Sequence, residues 1–209
     1  MALNVPLFNQ MTPMSKAGEF YLCERPKLSF ELTSPGMPAL RAKKGTLFVT
    51  TQRLVFVPQP AVRLRDGATF SSFEMPLADI SGEKFNQPIF GANNLTGTVK
   101  PSTGMGLTYE SKFKLTFGHG GAGTFLPLFF RALYELRDPA SAAAAGTLSQ
   151  AVMSGTFSTV VVSDPNDPSI IYVTQPDIPV ASASSADSSD VPVAQADSST
   201  LGKSGTKAI

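Results

Sequence analysis

Two apolar runs divided by one polar corner, across residues 43–57, constrain this chain more than any other stretch. Leu47 and Val49 alternate with Thr46, Phe48 and Thr50, the period of two that a pleated strand imposes. Leu54, Val55, Phe56 and Val57 then form a continuous apolar run suited to burial on both faces. The corner, Thr50-Thr51-Gln52-Arg53, lacks Asn-Gly chemistry, so a four-residue loop around a type I turn is expected rather than a two-residue primed turn. A chain with this centre is expected to fold around an antiparallel hairpin entered through the basic pair Lys43 and Lys44. Such a scaffold suits binding, and the stretch itself supplies no nucleophile with a base.

Similar patterning extends on both sides. Residues 19–22 and 27–32 read as two short strands separated at Pro26, whose missing N–H interrupts a ladder. Residues 34–38 form a Pro/Gly loop, and residues 69–77 read as a further strand anchored by Phe70, Phe73 and Met75. Strands are expected around residues 80–85 and 95–100, joined by an irregular crossing over 86–94 from which Ile89 and Phe90 are expected to enter the core. Tyr109, Ser111, Phe113, Leu115 and Phe117 alternate with Glu110, Lys112, Lys114 and Thr116, which marks a half-buried strand. The period then changes: Phe125, Leu128, Phe129, Ala132, Leu133 and Leu136 make a helical stripe over 124–137. Thr124 is the expected N-cap, Pro127 falls in the first turn, and Asp138-Pro139 stops the helix.

Residues 1–17 read as a loose arm, 18–137 as the folded body, and 138–209 as an Ala/Ser/Asp/Pro-rich tail expected to be largely disordered. Within that tail, residues 142–153 suit a marginal helix and Ile170-Ile171-Tyr172-Val173 a short strand or peptide motif. The near-neutral net charge of +1 conceals an asymmetry. Residues 1–137 hold 15 Lys/Arg against 9 Asp/Glu, a net of +6, and residues 138–209 hold 2 against 7, a net of −5. A basic body can meet anionic partners and an acidic tail can fold over it, although solvation alone also accounts for both.

Cys23 is the only cysteine, so no intramolecular disulfide can form. With residues 1–14 lacking a basic region ahead of an apolar core, the expectation is residence in the nucleus and/or cytoplasm. No apolar run reaches about 18 residues, so no transmembrane helix is expected. His119 is the only histidine, which leaves a metal site to carboxylates and one thiol, and none is expected. Gly118-His119-Gly120-Gly121-Ala122-Gly123 precedes a helix but lacks the Lys-Ser/Thr of a nucleotide loop, and reads as a flexible link. The body carboxylates Glu19, Glu24, Glu31, Asp66, Glu74, Asp79, Glu83, Glu110 and Glu135 are dispersed, read as solvated, and define no acid/base pair. Catalytic residues and cofactors are therefore expected to be none. The aromatic set, 15 Phe and 4 Tyr, is not interleaved with a dense basic stripe; it reads as core, and direct sequence-specific nucleic-acid binding is not expected.

Lys44-Gly45-Thr46-Leu47-Phe48-Val49-Thr50 followed by Arg53-Leu54-Val55-Phe56 resembles the core motif of GRAM domains. More specifically, Gln87-Pro88-Ile89-Phe90-Gly91-Ala92-Asn93, Gly97-Thr98-Val99-Lys100-Pro101 and Phe113-Lys114-Leu115-Thr116-Phe117, in this order, resemble the WW-domain-binding protein 2 family over about residues 18–137. The resemblance implies a mainly β, pleckstrin-homology-like fold: two near-orthogonal antiparallel sheets capped by a C-terminal α-helix. It also implies a non-enzymatic adaptor with protein partners, of the transcriptional-coactivator kind. Members of that family dock WW domains through Pro-Pro-x-Tyr motifs; this chain has none, and Pro168-Ser169-Ile170-Ile171-Tyr172 lacks the adjacent prolines, so WW binding is not expected to carry over. The alternative is a peripheral module for phosphoinositide or another anionic lipid, because related folds hold headgroups with cations from strand-joining loops. Arg25, Lys27, Arg41, Lys43 and Lys44 are the candidate contacts for either kind of partner.

Overall fold

A computed structural model of the chain describes residues 1–101 and 107–154. Twelve strands appear among the described residues: β1 Ala2–Leu3, β2 Leu7–Phe8, β3 Thr12–Pro13, β4 Tyr21–Thr33, β5 Leu40–Thr50, β6 Arg53–Pro58, β7 Val62–Arg63, β8 Thr69–Phe70, β9 Phe73–Pro76, β10 Ile80–Asn86, β11 Asn94–Val99 and β12 Ser111–Thr116. Three helices follow, α1 Ala122–Arg137, α2 Pro139–Ala145 and α3 Leu148–Met153. Eight strands form one antiparallel array in the order β1-β9-β6-β5-β4-β12-β11-β10, while β2-β3 and β7-β8 are small separate hairpins.

The central hairpin forms as its sequence requires, with Val49 opposite Leu54 and Phe48 opposite Val55. Its corner is held by the Thr50 hydroxyl, which accepts from the amides of Gln52 and Arg53 at 3.1 and 2.9 Å. That contact explains how the chain reverses without a glycine. The two halves of the array are joined by β4, which pairs with β5 on one side and β12 on the other. The strands expected at 19–22 and 27–32 are thus one continuous strand. Pro26 is accommodated at a register shift between Arg25 and Leu28, where an extra residue bends the strand rather than ending it. This strand order, closed by a helix after the last strand, is the pleckstrin-homology-like architecture, and the two expected sheets are hydrogen-bonded into one array through β4.

Between the sheet halves lies the core. Phe30 stacks on Phe56 with centroids 4.9 Å apart and meets Phe73 at 5.3 Å. Helix α1 closes the core with Phe125, Leu128, Phe129, Ala132 and Leu133, all buried. Removing one of these rings, as in Phe56→Ala, costs on the order of 3–5 kcal/mol in a close-packed interior. Ser111, Phe113 and Leu115 of β12 are buried and Lys112 and Lys114 exposed, as the alternation requires.

Four expectations are corrected. Residues 1–17 are not a loose arm: Ala2 and Leu3 pair with Glu74 and Phe73, and Met1 is fully buried. Ile89 and Phe90 do not enter the core but stand 94% and 91% exposed. Helix α1 starts at Ala122 with Gly121 as N-cap, two residues before the expected start. Thr124 therefore lies inside the helix, its hydroxyl buried without a hydrogen-bond partner among the described residues. Finally, order extends past residue 137. Asp138 caps α2, Thr147 and Gln150 form a capping box on α3, and Leu148 is buried against the body. The motif at 170–173 lies outside the described residues.

Candidate functional site

The structure divides the five candidate cations into three kinds. Lys27, Lys43 and Lys44 line one depression of about 410 Å³ together with Ser29, Gly118 and His119. The bulge on β4 makes this possible: Lys27 takes a left-handed φ of 62°, a conformation costly for a side-chain-bearing residue. Strain of this kind persists only where neighbouring contacts hold it, and here it places a lysine beside the two that precede Gly45 on β5. None of the three lysines has an ion-pair partner among the described residues, and no carboxylate lines the depression. Uncompensated ammonium groups around a concave surface create a positive potential that suits an anionic ligand.

Arg25 is different. Its side chain is buried behind the depression, and its Nη2 donates to the His119 carbonyl at 3.2 Å, which fastens the β4 bulge to the β12–α1 loop. Gly121 adopts φ +92° directly against this guanidinium, where a Cβ would stand 1.7 Å from Arg25 Nε. Arg25 therefore braces the wall of the groove, and it also lines a neighbouring depression of about 230 Å³ with Pro26, Lys27 and His119. Arg41 is exposed but engaged, donating through Nε and Nη2 to Glu31 at 3.0 and 2.7 Å. It borders a second, smaller groove of about 200 Å³ that continues across Lys43 to Lys114.

The most connected polar cluster is one the sequence pattern did not single out. Arg53, at the hairpin corner, donates through Nε and Nη2 to Glu19 at 2.7 and 2.9 Å and through Nη1 to Glu74 at 2.7 Å. Glu19 also accepts from the Thr50 hydroxyl at 2.7 Å, and Lys16 pairs with Glu74. Burial by itself would push the Glu74 carboxyl up, but hydrogen bonds and charge from Lys16 and Arg53 together hold it below the usual carboxylate value. The reading of these carboxylates as solvated thus fails at Glu19 and Glu74. Their role is to tie residues 14–19 to the sheet, with every oxygen committed to a cation, hydroxyl or amide. Their only sequence signal is Arg53 itself, a charged residue abutting an apolar run.

Cys23 is buried, and burial pushes its thiol up to about 12, so it is protonated and inert near neutrality. No cluster of three or more His, Cys, Asp or Glu suited to a metal occurs among the described residues. No helix among them is long and apolar enough to cross a membrane.

Among the large apolar side chains left exposed, two pairs are set apart from the scattered Phe8, Met11, Tyr109, Leu136 and Met153. Phe130 and Tyr134, one turn apart on α1, are 40% and 48% exposed. Ile89 and Phe90 occupy the tip of the β10–β11 loop.

No family model matches the chain. It is 33% identical over 104 residues to a stress-induced protein of Schizosaccharomyces pombe, covering 50% of this chain and 57% of that one. It is 40% identical over 104 residues to the postacrosomal sheath WW domain-binding protein of Bos taurus, covering 50% of this chain and 30% of the relative. Over 83 residues it is 37% identical to WW domain-binding protein 2 of Homo sapiens, covering 40% of this chain and 30% of the relative. The match spans 30% to 57% of the length of these relatives. Among solved structures, the Vps36 N-terminal PH domain aligns with a TM-score of 0.47 at 17% identity, covering 64% of this chain and 92% of that one. Over 40% to 50% of its length, the chain is similar in sequence to proteins named WW domain-binding protein 2 and postacrosomal sheath WW domain-binding protein.

Proposed function

We propose that this chain is a non-enzymatic adaptor of the transcriptional-coactivator kind, which binds protein partners through its folded body in the nucleus and/or cytoplasm. One observation carries this reading: the Phe130–Tyr134 pair on the outer face of α1. Aromatic rings left partly exposed on a rigid helix, one of them with a polar hydroxyl, supply large contact area at small entropic cost, which is why aromatic residues concentrate binding energy at protein interfaces. The homologues' names, which describe them as binding WW domains, support a protein-binding role. The 209 residues contain no Pro-Pro-x-Tyr, and the contact proposed for this chain is made by the body.

The test is affinity capture from extract with the full chain and a Phe130→Ala/Tyr134→Ala variant, read by quantitative mass spectrometry. Proteins retained by the wild type over a charge-matched control are expected to fall at least about tenfold in the variant, as loss of two hot-spot side chains implies. Equal retention by the variant, or no enrichment over control, contradicts the reading.

A second reading is favoured by the groove of Lys27, Lys43 and Lys44, which carries three unpaired cations and no carboxylate. It is suited to an anionic headgroup, and a module with this groove binds a membrane surface peripherally.

A further inference from the structure

We infer that the loop bearing Ile89 and Phe90 is a membrane-inserting tip that acts together with the lysine groove, so that the chain docks on an anionic lipid surface by one end of its sheet. This rests on the second reading above and adds to it the apolar half of the contact. The placement follows from strand register. Asn86 and Asn94, the roots of the loop, pair with each other, and Asn94 pairs with Thr116, which pairs with Ser29 beside the groove. Two strand spacings of about 4.8 Å separate Asn94 from β4, and three separate Asn86 from it. The Phe117 amide donates to the Asn93 carbonyl at 2.8 Å, joining the loop directly to the segment that carries Gly118 and His119. Tip and groove therefore open at the same end of the molecule.

The exposure of the tip is the unexplained fact. Placing a large aliphatic and a large aromatic side chain almost wholly in water is unfavourable, yet Phe85, at the base of the same loop, packs on Phe117 at 6.4 Å while the tip turns away. Pro88 and Gly91, the latter at φ +104°, bracket a narrow convex turn. A protrusion of two apolar residues is poorly shaped for a flat protein interface and well shaped for entry between lipid headgroups. The adjacent lysines complement an anionic surface. Apolar insertion beside basic residues is the combination that gives stable peripheral binding where either alone is weak.

The chain has no tryptophan, so Phe90→Trp places a single reporter at the tip. The experiment uses the full chain with vesicles of phosphatidylcholine alone, of phosphatidylcholine with phosphatidylserine, and of phosphatidylcholine with phosphatidylinositol phosphates. Tryptophan emission and its quenching by brominated lipid are recorded beside co-sedimentation, and soluble inositol phosphate serves as competitor. Expected are a blue shift and quenching with anionic vesicles only. Ile89→Ser/Phe90→Ser should lower partitioning at least about tenfold. Lys27→Ala/Lys43→Ala/Lys44→Ala should lower it on the order of a hundredfold. Both variants should keep the wild-type melting temperature within a few degrees.

If the lysine variant loses binding while the Ser variant and the Trp reporter do not respond, the tip does not insert and the inference is overturned, with the headgroup reading intact. If soluble inositol phosphate binds as tightly as vesicles, the groove takes a free phosphate and the insertion is likewise overturned. If the wild type binds no vesicle, both fail. If only protein capture is lost in the Ser variant, the tip is a protein contact and the inference fails.

Discussion

Arg53, Glu19, Glu74 and Lys16 show how a charged residue can hold a fold together from inside. Two carboxylates and a guanidinium removed from water incur a large desolvation cost, which is offset only because each oxygen and nitrogen finds a partner. Glu74 carries a pH dependence whose sign follows from its environment. Its folded-state value lies below the unfolded 4.5, so its contribution to stability is complete above that pH and is lost as pH falls through the lowered value. In thermal melts from pH 7 to pH 2, the wild type should lose stability below about 4.5, whereas Glu74→Gln should start about 3 kcal/mol less stable and show a shallower acid limb. An unchanged acid limb in Glu74→Gln would place the acid sensitivity elsewhere. This network was hard to read from sequence because the partners lie at residues 16, 19, 53 and 74, brought together only by the strand pairing. Lys27, Lys43 and Lys44 were legible as a candidate set because two of them are adjacent and the third flanks a proline.

At the scale of elements, what the pattern revealed depended on how local its cause was. The 47–57 hairpin, the 111–116 alternation and the α1 stripe from Phe125 to Leu133 are set by side-chain periodicity within one segment and formed as expected, whereas Leu136, the last residue of the expected stripe, is 43% exposed. Misread elements were those decided by tertiary contact. The first residues join the sheet edge through Ala2 and Leu3, and two backbone pairs carry no periodic signal. Residues 139–153 have few bulky side chains, yet Leu148 finds a place against the body, and the Arg131 guanidinium reaches the Gly146 carbonyl at 2.9 Å. The exposed tip failed for the opposite reason: hydrophobicity predicts burial, and Ile89 and Phe90 are kept outside by the short loop around them. The β12–α1 loop offers a direct test of how the groove is built. Gly121→Ala must both adopt φ +92° and displace Arg25, while Gly36→Ala, at φ +76° with open space around it, meets only the backbone cost. Denaturant melts should show Gly36→Ala about 1 kcal/mol less stable than wild type and Gly121→Ala on the order of 3 kcal/mol less stable. Equal losses would mean that Arg25 yields without cost and does not brace the loop.

For the whole molecule, the fold separates two surfaces: a helix face with Phe130 and Tyr134, and the sheet end with the lysine groove and the Ile89–Phe90 tip. In the function proposed above, partner binding belongs to the folded body and not to a short motif in the C-terminal region. Two tyrosines, Tyr134 on α1 and Tyr172 within the 170–173 run, allow the two to be compared in one chain. A photo-reactive phenylalanine derivative placed at either position, in otherwise intact protein exposed to extract and irradiated, reports which one touches a partner. Cross-linked partner from position 134, with none from 172, is the predicted result; cross-linking from 172 alone would contradict the account.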